Sequence, residues 1–449
     1  MTPLFRPRTA ALFLGDLIFF IFSLWLSLLL RDMAMPSQQT FMAHIVPFSV
    51  LFIAWIVVFF VAGLYESRSI ILARRALSAT LLVAQTINIV IAALFFFFIP
   101  IFGIAPKTVL VIYLIVSFIF ILLWRAILFP ALGLQRKENA LVIGSGTEVD
   151  ELAAALVDAR NAPARVAVVV DPAGGALATR VADVVAELHP RFIIANFNDA
   201  HVAAAFPEMY RYLASGIIFF DFAQVYEDVF GRVPLSLIDS AWLARNVSRS
   251  AHVLYDPLKR AIDIVCGFIL GVISLIFYPF IILAIKLDDG GPIFISQERV
   301  GKSGRLFRIR KFRSMSGNDS GVYGASGSTK LVVTPVGRIL RTSRLDELPQ
   351  LWDVVTGRLS FIGPRPELPS LVEIYEKEIP FYMVRHLIKP GLSGSAQLYY
   401  HGDPHHAADI ASTKMKLSYD LFYLKHRSLT LDLSIGIKTI RRLLVRSNA

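Results

Sequence analysis

Four long apolar stretches open the chain, at about 10–30, 45–64, 79–102 and 109–129. Each is close to the roughly 20 residues that a helix needs to cross a hydrocarbon core. Short polar links separate them, and basic residues collect on alternate sides. Arg6 and Arg8 precede the first stretch, Arg68, Arg74 and Arg75 lie between the second and third, and Arg125, Arg136 and Lys137 close the fourth. The opposite side carries only Arg31 and Lys107. The positive-inside rule then predicts a bundle with both ends in the cytoplasm. No small-residue cleavage pattern follows the first stretch, so a retained helix is expected rather than a removed signal. For Gln85 and Asn88, within the third stretch, hydrogen bonds between helices are the expected use, with a polar pathway as the alternative.

After residue 137 the pattern changes to short apolar runs alternating with helical periodicity. Ala140-Leu-Val-Ile-Gly-Ser-Gly146 reads as a buried strand entering a glycine turn, followed by a helix over 149–160. Further strands are expected at 166–170, 191–195 and 217–220. This order predicts a parallel, Rossmann-like sheet. A dinucleotide fingerprint would place a pyrophosphate on the glycine turn and a ribose on Asp171. Val149 holds the third glycine position, however, and Glu148 sets a negative charge beside it. A structural or regulatory domain is the expected reading.

A fifth apolar segment, 266–285, is long enough to cross. Lys259 and Arg260 lie before it, and Lys286, Arg299, Lys302 and Arg305 after it, so both flanks read as cytoplasmic. Pro279 breaks the segment and predicts a kink. A helix over about 259–286 that enters one leaflet, bends and returns meets both conditions. An ordinary fifth span is the alternative.

Composition fits a membrane chain: 55% of the 449 residues are hydrophobic and 18% charged. The net charge of +11 belongs mostly to the part beyond the four stretches and suits anionic lipid or phosphorylated substrates, with no nucleic-acid partner expected. The single cysteine, Cys266, excludes an intramolecular disulfide framework.

Candidate chemistry is concentrated after the fifth segment. Phe307-Arg-Ile-Arg-Lys-Phe-Arg-Ser-Met315 alternates basic and apolar residues, 316–329 reads as a mobile loop, and Leu340-Arg-Thr-Ser-Arg-Leu-Asp-Glu-Leu-Pro-Gln-Leu-Trp352 follows. Adjacent carboxylates among arginines can bind a divalent cation with substrate phosphates. One of them can instead attack phosphorus to give an acyl phosphate. Arg341, Arg344 and Arg365 would neutralise phosphate oxygens. A solvated salt-bridge cluster is the plainer alternative. For His401, His405 and His406 a solvated loop is expected rather than a metal site. The tail, 421–446, reads either as an amphipathic helix on an anionic membrane face or as a helix packed on the preceding domain.

Together, Lys311-Phe-Arg-Ser-Met315, Leu345-Asp-Glu-Leu-Pro-Gln-Leu-Trp352, Gly363-Pro-Arg-Pro-Glu367 and Tyr419-Asp-Leu-Phe-Tyr-Leu-Lys425 resemble the bacterial sugar transferases, the monotopic phosphoglycosyl transferases. The whole chain is similar to their large subclass. The resemblance implies three parts. These are a four-helix transmembrane bundle (1–136), a Rossmann-like domain (137–250) and an α/β-type catalytic domain with a re-entrant helix (251–449). It also implies transfer of a sugar 1-phosphate from a UDP-sugar to undecaprenyl phosphate with release of UMP, at the bacterial inner membrane, as the first membrane step of exopolysaccharide, capsule or O-antigen synthesis. In that scheme Asp346 is the nucleophile and Glu347 a metal partner or base. Arg341, Arg365, Lys311 and Arg313 meet phosphate, and Mg2+ is the cofactor. A homodimer is an open expectation. Tyr278 stands where the family usually has Ser. Gly394-Ser-Ala-Gln397, then Tyr399 and Tyr400, replace its usual Gly-Trp-Ala-Gln. A membrane-anchored sugar-nucleotide dehydratase or epimerase, which needs a Tyr-x-x-x-Lys pair such as Tyr255–Lys259, and a non-catalytic scaffold are the alternatives.

Overall fold

The computed structural model describes residues 7–62, 64–65, 67–98, 107–132, 138–158, 164–247, 255–316, 332–400 and 409–446. Arg6, Arg136, Lys137, the loop beyond Ser316 and the three histidines at 401, 405 and 406 lie outside these residues. The chain forms two compact units, Met1–Val229 and Phe230–Ala449.

The first unit begins with α1 (Pro7–Asp32), α2 (Gln38–Val61), α3 (Ser67–Phe98) and α4 (Lys107–Leu123). A π-helical turn, Trp124–Leu128, and a short α5 (Phe129–Ala131) follow. Among the described residues, four helices are long and apolar enough to cross a membrane: Ala10–Asp32, Gln38–Phe60, Leu81–Phe98 and Thr108–Leu128. α1 packs along α4, and α3 packs against both α2 and α4. Their shared interior is aromatic, with Trp55 and Tyr113 ring centroids 5.1 Å apart and Phe20 and Phe48 beside them. Gln85 and Asn88 are both buried, and the Gln85 side chain bonds between helices as expected, whereas Asn88 Nδ2 donates to Gln85 Oε1 at 3.0 Å within α3 and only its backbone carbonyl meets another helix. Gln85 Nε2 donates to Ser117 Oγ at 3.2 Å, and Trp55 Nε1 donates to the Asn88 carbonyl at 2.9 Å. Arg125 differs from its expected place as a flanking charge. It is buried in an ion pair with Asp16, donates from Nη1 to the Leu64 carbonyl at 2.7 Å, and shares Asp16 with the Tyr65 hydroxyl at 2.7 Å.

The Rossmann-like part alternates β1 (Glu138–Ile143), α6 (Thr147–Asp158), β2 (Ala164–Val170), α7 (Leu177–Leu188), β3 (Phe192–Ala195), α8 (Ala200–Met209), β4 (Ile218–Asp221) and α9 (Phe222–Phe230). The strands form one parallel sheet in the order β2-β1-β3-β4. All four residues of β3 are buried, which is why it reads as an unbroken apolar run. Val149 is buried in the position a third glycine would hold. Asp171 caps its own turn, accepting the Ala173 N–H at 3.0 Å.

The second unit comprises α10 (Ser240–Asn246), α11 (Tyr255–Ser274), α12 (Tyr278–Asp288), the antiparallel hairpin β5 (Phe294–Val300) and β6 (Leu306–Phe312), α13 (Pro335–Ser343) and α14 (Gln350–Thr356). After these come β7 (Ser360–Ile362), α15 (Pro369–Glu378), β8 (Gly391–Ser393), α16 (Ser395–Tyr399), α17 (Ile410–His426) and α18 (Leu429–Arg446). β7 and β8 pair in parallel. The core gathers Leu417, Leu421 and Leu424 of α17 with Val233 and Trp242, so the segment after Phe230 packs here and the units divide earlier than residue 250.

α11 and α12 are inclined by 56° across a break of three residues. Pro279 lies in the first turn of α12, where its missing N–H removes no helical bond. Tyr278 settles the bend by packing: its ring meets Phe312 edge-on at 4.9 Å and Phe294 at 6.4 Å. The buried face of α11 is Asp263, Gly267, Gly271 and Ser274. A Cβ on Gly267 would lie 3.2 Å from Val355, and one on Gly271 would lie 3.3 Å from Trp352, so α14 rests directly on the α11 backbone. The opposite face exposes Val265, Phe268, Ile269 and Val272, an apolar flank suited to lipid.

Candidate active site

The acidic pair lies on a turn whose shape is set from both sides. α13 starts at Thr334, whose hydroxyl accepts the Gly337 N–H at 2.9 Å, and it ends at Arg344 in left-handed geometry, φ 59° and ψ 19°. For a residue other than glycine that conformation costs on the order of 1 kcal/mol. It directs the chain into the 3-10 turn Leu345–Glu347. Leu345 and Leu348 anchor the turn in a cluster with Ile281, Ile285, Phe312 and Leu340, so two apolar pegs seated on α12 bracket the carboxylates. At the other end of α13, a Cβ on Gly337 would lie 1.9 Å from the Ser314 carbonyl oxygen. The helix therefore runs directly against the Lys311–Met315 block.

Asp346 is 8% exposed, and its Oδ1 has no hydrogen-bond partner among the described residues. Burial pushes its carboxyl up to about 6, and the neighbouring Glu347 adds to the rise. Lys311, Arg344 and Arg341 oppose the shift, which places all three cations within electrostatic reach of the buried carboxylate. Glu347 accepts from Arg344 Nη1 at 3.2 Å. Among the described residues the Arg341 side chain makes a weak contact, Nη1 to the Met315 sulfur at 3.2 Å.

The other expected phosphate ligands divide. Lys311 sits two residues beyond Ile309 on β6, so it shares that strand's inward face while Arg308 and Arg310 are exposed. Arg313 goes elsewhere. Its guanidinium pairs with Asp289 at 2.7 Å and donates to the Met315 carbonyl at 2.9 Å, filling the space beside Gly291. It ties the α12–β5 connection to the end of β6 and does not line the cavity described next. Arg365 follows β7 in the Gly363-Pro-Arg-Pro block. That block lies against Lys389-Pro-Gly391 so closely that a Cβ on Gly363 would stand 2.5 Å from the Lys389 carbonyl oxygen.

Arg341, Arg344, Glu347 and Arg365 all line one cavity of 1180 Å3. Three groups on its wall were not marked as site residues in the sequence. Arg385 is buried in an ion pair with Asp420 at 2.8 Å and donates to the Arg365 carbonyl at 3.1 Å, which holds the Gly363-Pro-Arg-Pro loop. Asp432 of α18 accepts from Lys259 at 2.7 Å and from Tyr255 at 2.8 Å. Arg442 Nη1 donates to the Gln397 carbonyl at 2.6 Å. Their partners lie far away in sequence, so spacing could not reveal them. The tail helix thus packs on this unit through Ile435 and Arg442.

Among the described residues no three His, Cys, Asp or Glu side chains converge as a metal cluster. What this turn offers is the adjacent pair Asp346 and Glu347, with one buried Asp346 oxygen lacking a partner among the described residues. That donor set fits magnesium, which commonly takes one or two carboxylates and completes its shell with substrate phosphates and water.

Comparison with known proteins converges on the same region. A family model described as bacterial sugar transferase matches residues 254–446. The UDP-N-acetylgalactosamine-undecaprenyl-phosphate N-acetylgalactosaminephosphotransferase of Aeromonas hydrophila is 39% identical over 262 residues, 56% of this chain and 58% of that protein. UDP-glucose:undecaprenyl-phosphate glucose-1-phosphate transferases of Xanthomonas campestris pv. campestris and Caulobacter vibrioides are 38% and 36% identical. The match covers 40% of this chain and 38% of the Xanthomonas protein, and 44% of this chain and 74% of the Caulobacter protein. The chain therefore spans about half the length of the first two of these relatives.

Proposed function

The chain belongs to the bacterial sugar transferase family, and we propose that it moves a sugar 1-phosphate from a UDP-sugar to undecaprenyl phosphate with release of UMP. The observation that carries this reading is the buried Asp346 carboxylate, with one oxygen unpartnered, next in the chain to Glu347 on the wall of an arginine-lined cavity. In the first step an Asp346 oxygen attacks the β-phosphorus of the donor. The bond between that phosphorus and the oxygen bridging to the α-phosphate breaks, and UMP leaves. An aspartyl phosphosugar remains. In the second step a phosphate oxygen of the lipid attacks the same phosphorus, the acyl phosphate bond breaks, and Asp346 is restored as a carboxylate. Arg341 and Arg365 would hold phosphate oxygens, and Lys311 would keep Asp346 ionised. Asp346 and Glu347 would hold magnesium, whose contribution when bound is neutralisation of phosphate charge.

The bent α11–α12 pair supports a re-entrant helix that keeps this chemistry at the cytoplasmic leaflet of the inner membrane, and the four spans support anchoring there. Tyr255 and Lys259 both hydrogen-bond Asp432, which gives them a structural use and disfavours a dehydratase. The test is Asp346→Asn, assayed with a UDP-sugar panel and undecaprenyl phosphate. The expected result is loss of UMP release and of any acid-stable phosphosugar adduct on the peptide containing residue 346. Turnover retained by this variant would sink the nucleophile assignment, because an amide cannot form the acyl phosphate.

A further inference from the structure

The cavity beside Glu347 has a second wall that phosphoryl chemistry does not use. α11 lines it with Ile262, Cys266 and Leu270, four residues apart along one side of the helix. α18 lines it with Leu433, Gly436 and Ile440. Polar contacts fix α18 in this position: Asp432 bonds Lys259 and Tyr255, and the Ser393 and Thr439 hydroxyls lie 2.6 Å apart.

Gly436 stands out among the helical glycines. A glycine inside a helix weakens it relative to alanine, so it needs a reason. Gly267 and Gly271 have one, since neighbouring side chains press on them. Gly436 has no left-handed backbone, and nothing lies within 4 Å of a Cβ built on it. Neither conformation nor packing calls for it. What its missing side chain leaves is free space on the cavity wall.

We propose that the bore between α11 and α18, kept open at Gly436, holds the hydrocarbon chain of a long isoprenyl phosphate, whose phosphate meets Arg341, Arg344 and Arg365. This deepens the transferase reading and rests on it. Two observations select the occupant. The lining joins guanidinium groups to aliphatic side chains, the complement of an anionic head on an apolar chain. α11 also carries the exposed flank of Val265, Phe268 and Ile269, which gives such a chain a route from lipid.

The test uses the full chain in nanodiscs and separates the two half-reactions. Gly436→Leu fills the bore. The expected result is a KM for undecaprenyl phosphate raised about tenfold, in keeping with a pocket altered by a few methylenes. UMP release in the absence of acceptor should stay unchanged. An unchanged KM, or equal loss in both half-reactions, would overturn the proposal. A second measurement needs no variant, because Cys266 is the chain's single cysteine. Undecaprenyl phosphate should slow its alkylation by N-ethylmaleimide severalfold, whereas UDP and an equal amount of an anionic phospholipid should not. Protection by UDP, equal protection by the phospholipid, or none by the polyprenyl phosphate would overturn the assignment. UMP release by the unaltered chain tests the transferase reading separately, so the two can fail independently.

Discussion

At the scale of single residues, Asp346 combines two demands that conflict. The nucleophile's role proposed for it requires ionisation, yet burial favours the protonated form and moves the carboxyl from its ordinary range to about 6. The first half-reaction should therefore lose kcat/KM as pH falls below about 6, following one protonation, which a pH profile of UMP release would reveal. Stability should respond in the opposite sense. The folded chain holds the Asp346 proton more tightly than the unfolded chain does, so stability is highest below the unfolded value and declines as pH rises towards about 6. Asp346→Asn removes that cost, which is on the order of 3 kcal/mol for such a displacement. Its melting temperature should exceed that of the unaltered chain at pH 8, and the gain should vanish near pH 4. Asp346, Arg341 and Arg365 stand out as candidates in the sequence because they sit in contiguous motifs. Arg313 belonged to an equally clear motif and still pairs with Asp289, because strand register and a glycine gap decide where its side chain goes.

At the scale of elements, the bent pair α11–α12 was readable in outline. Cationic flanks and Pro279 predicted a segment that breaks, and the break lies just before that proline. Its means of support was not readable. Asp263, Gly267, Gly271 and Ser274 look unremarkable in an apolar run, and only the position of α14 turns them into one buried face. Asp263 there accepts the Phe361 N–H at 3.2 Å, linking α11 to β7. Placing a larger side chain at Gly267 should force α14 off α11 and, with it, disturb the turn that carries Asp346. Gly267→Leu is expected to cost about 1–3 kcal/mol, as overpacking usually does. A lowered melting temperature together with lost UMP release would be the readout, whereas Gly436→Leu should leave the melting temperature near its original value.

At the scale of the whole molecule, the order of parts (spans, parallel sheet, basic catalytic unit) followed from changes in hydrophobic period along the chain. The Asp16–Arg125 pair did not, because its partners are 109 residues apart and Arg125 resembled an ordinary flanking charge. Arg125→Leu leaves Asp16 buried without its cation and should cost about 3–5 kcal/mol. Asp16→Asn combined with Arg125→Leu should recover much of the loss, measured as thermal stability in detergent. The separation also has a consequence for biogenesis. Asp16 leaves the ribosome with the first helix, while the arginine that neutralises it is still unsynthesised. At the centre of a span a lone carboxylate costs about 2.5–3.5 kcal/mol on insertion scales, and Asp16, near the start of the first span, carries part of that cost. The first helix therefore enters the lipid incomplete and becomes comfortable only when the fourth arrives. Chains truncated after α3 should be recognised and degraded by membrane proteases sooner than chains truncated after α5, and pulse–chase lifetimes would measure the difference. The buried ion pair is therefore complete only in a chain whose fourth span has been made.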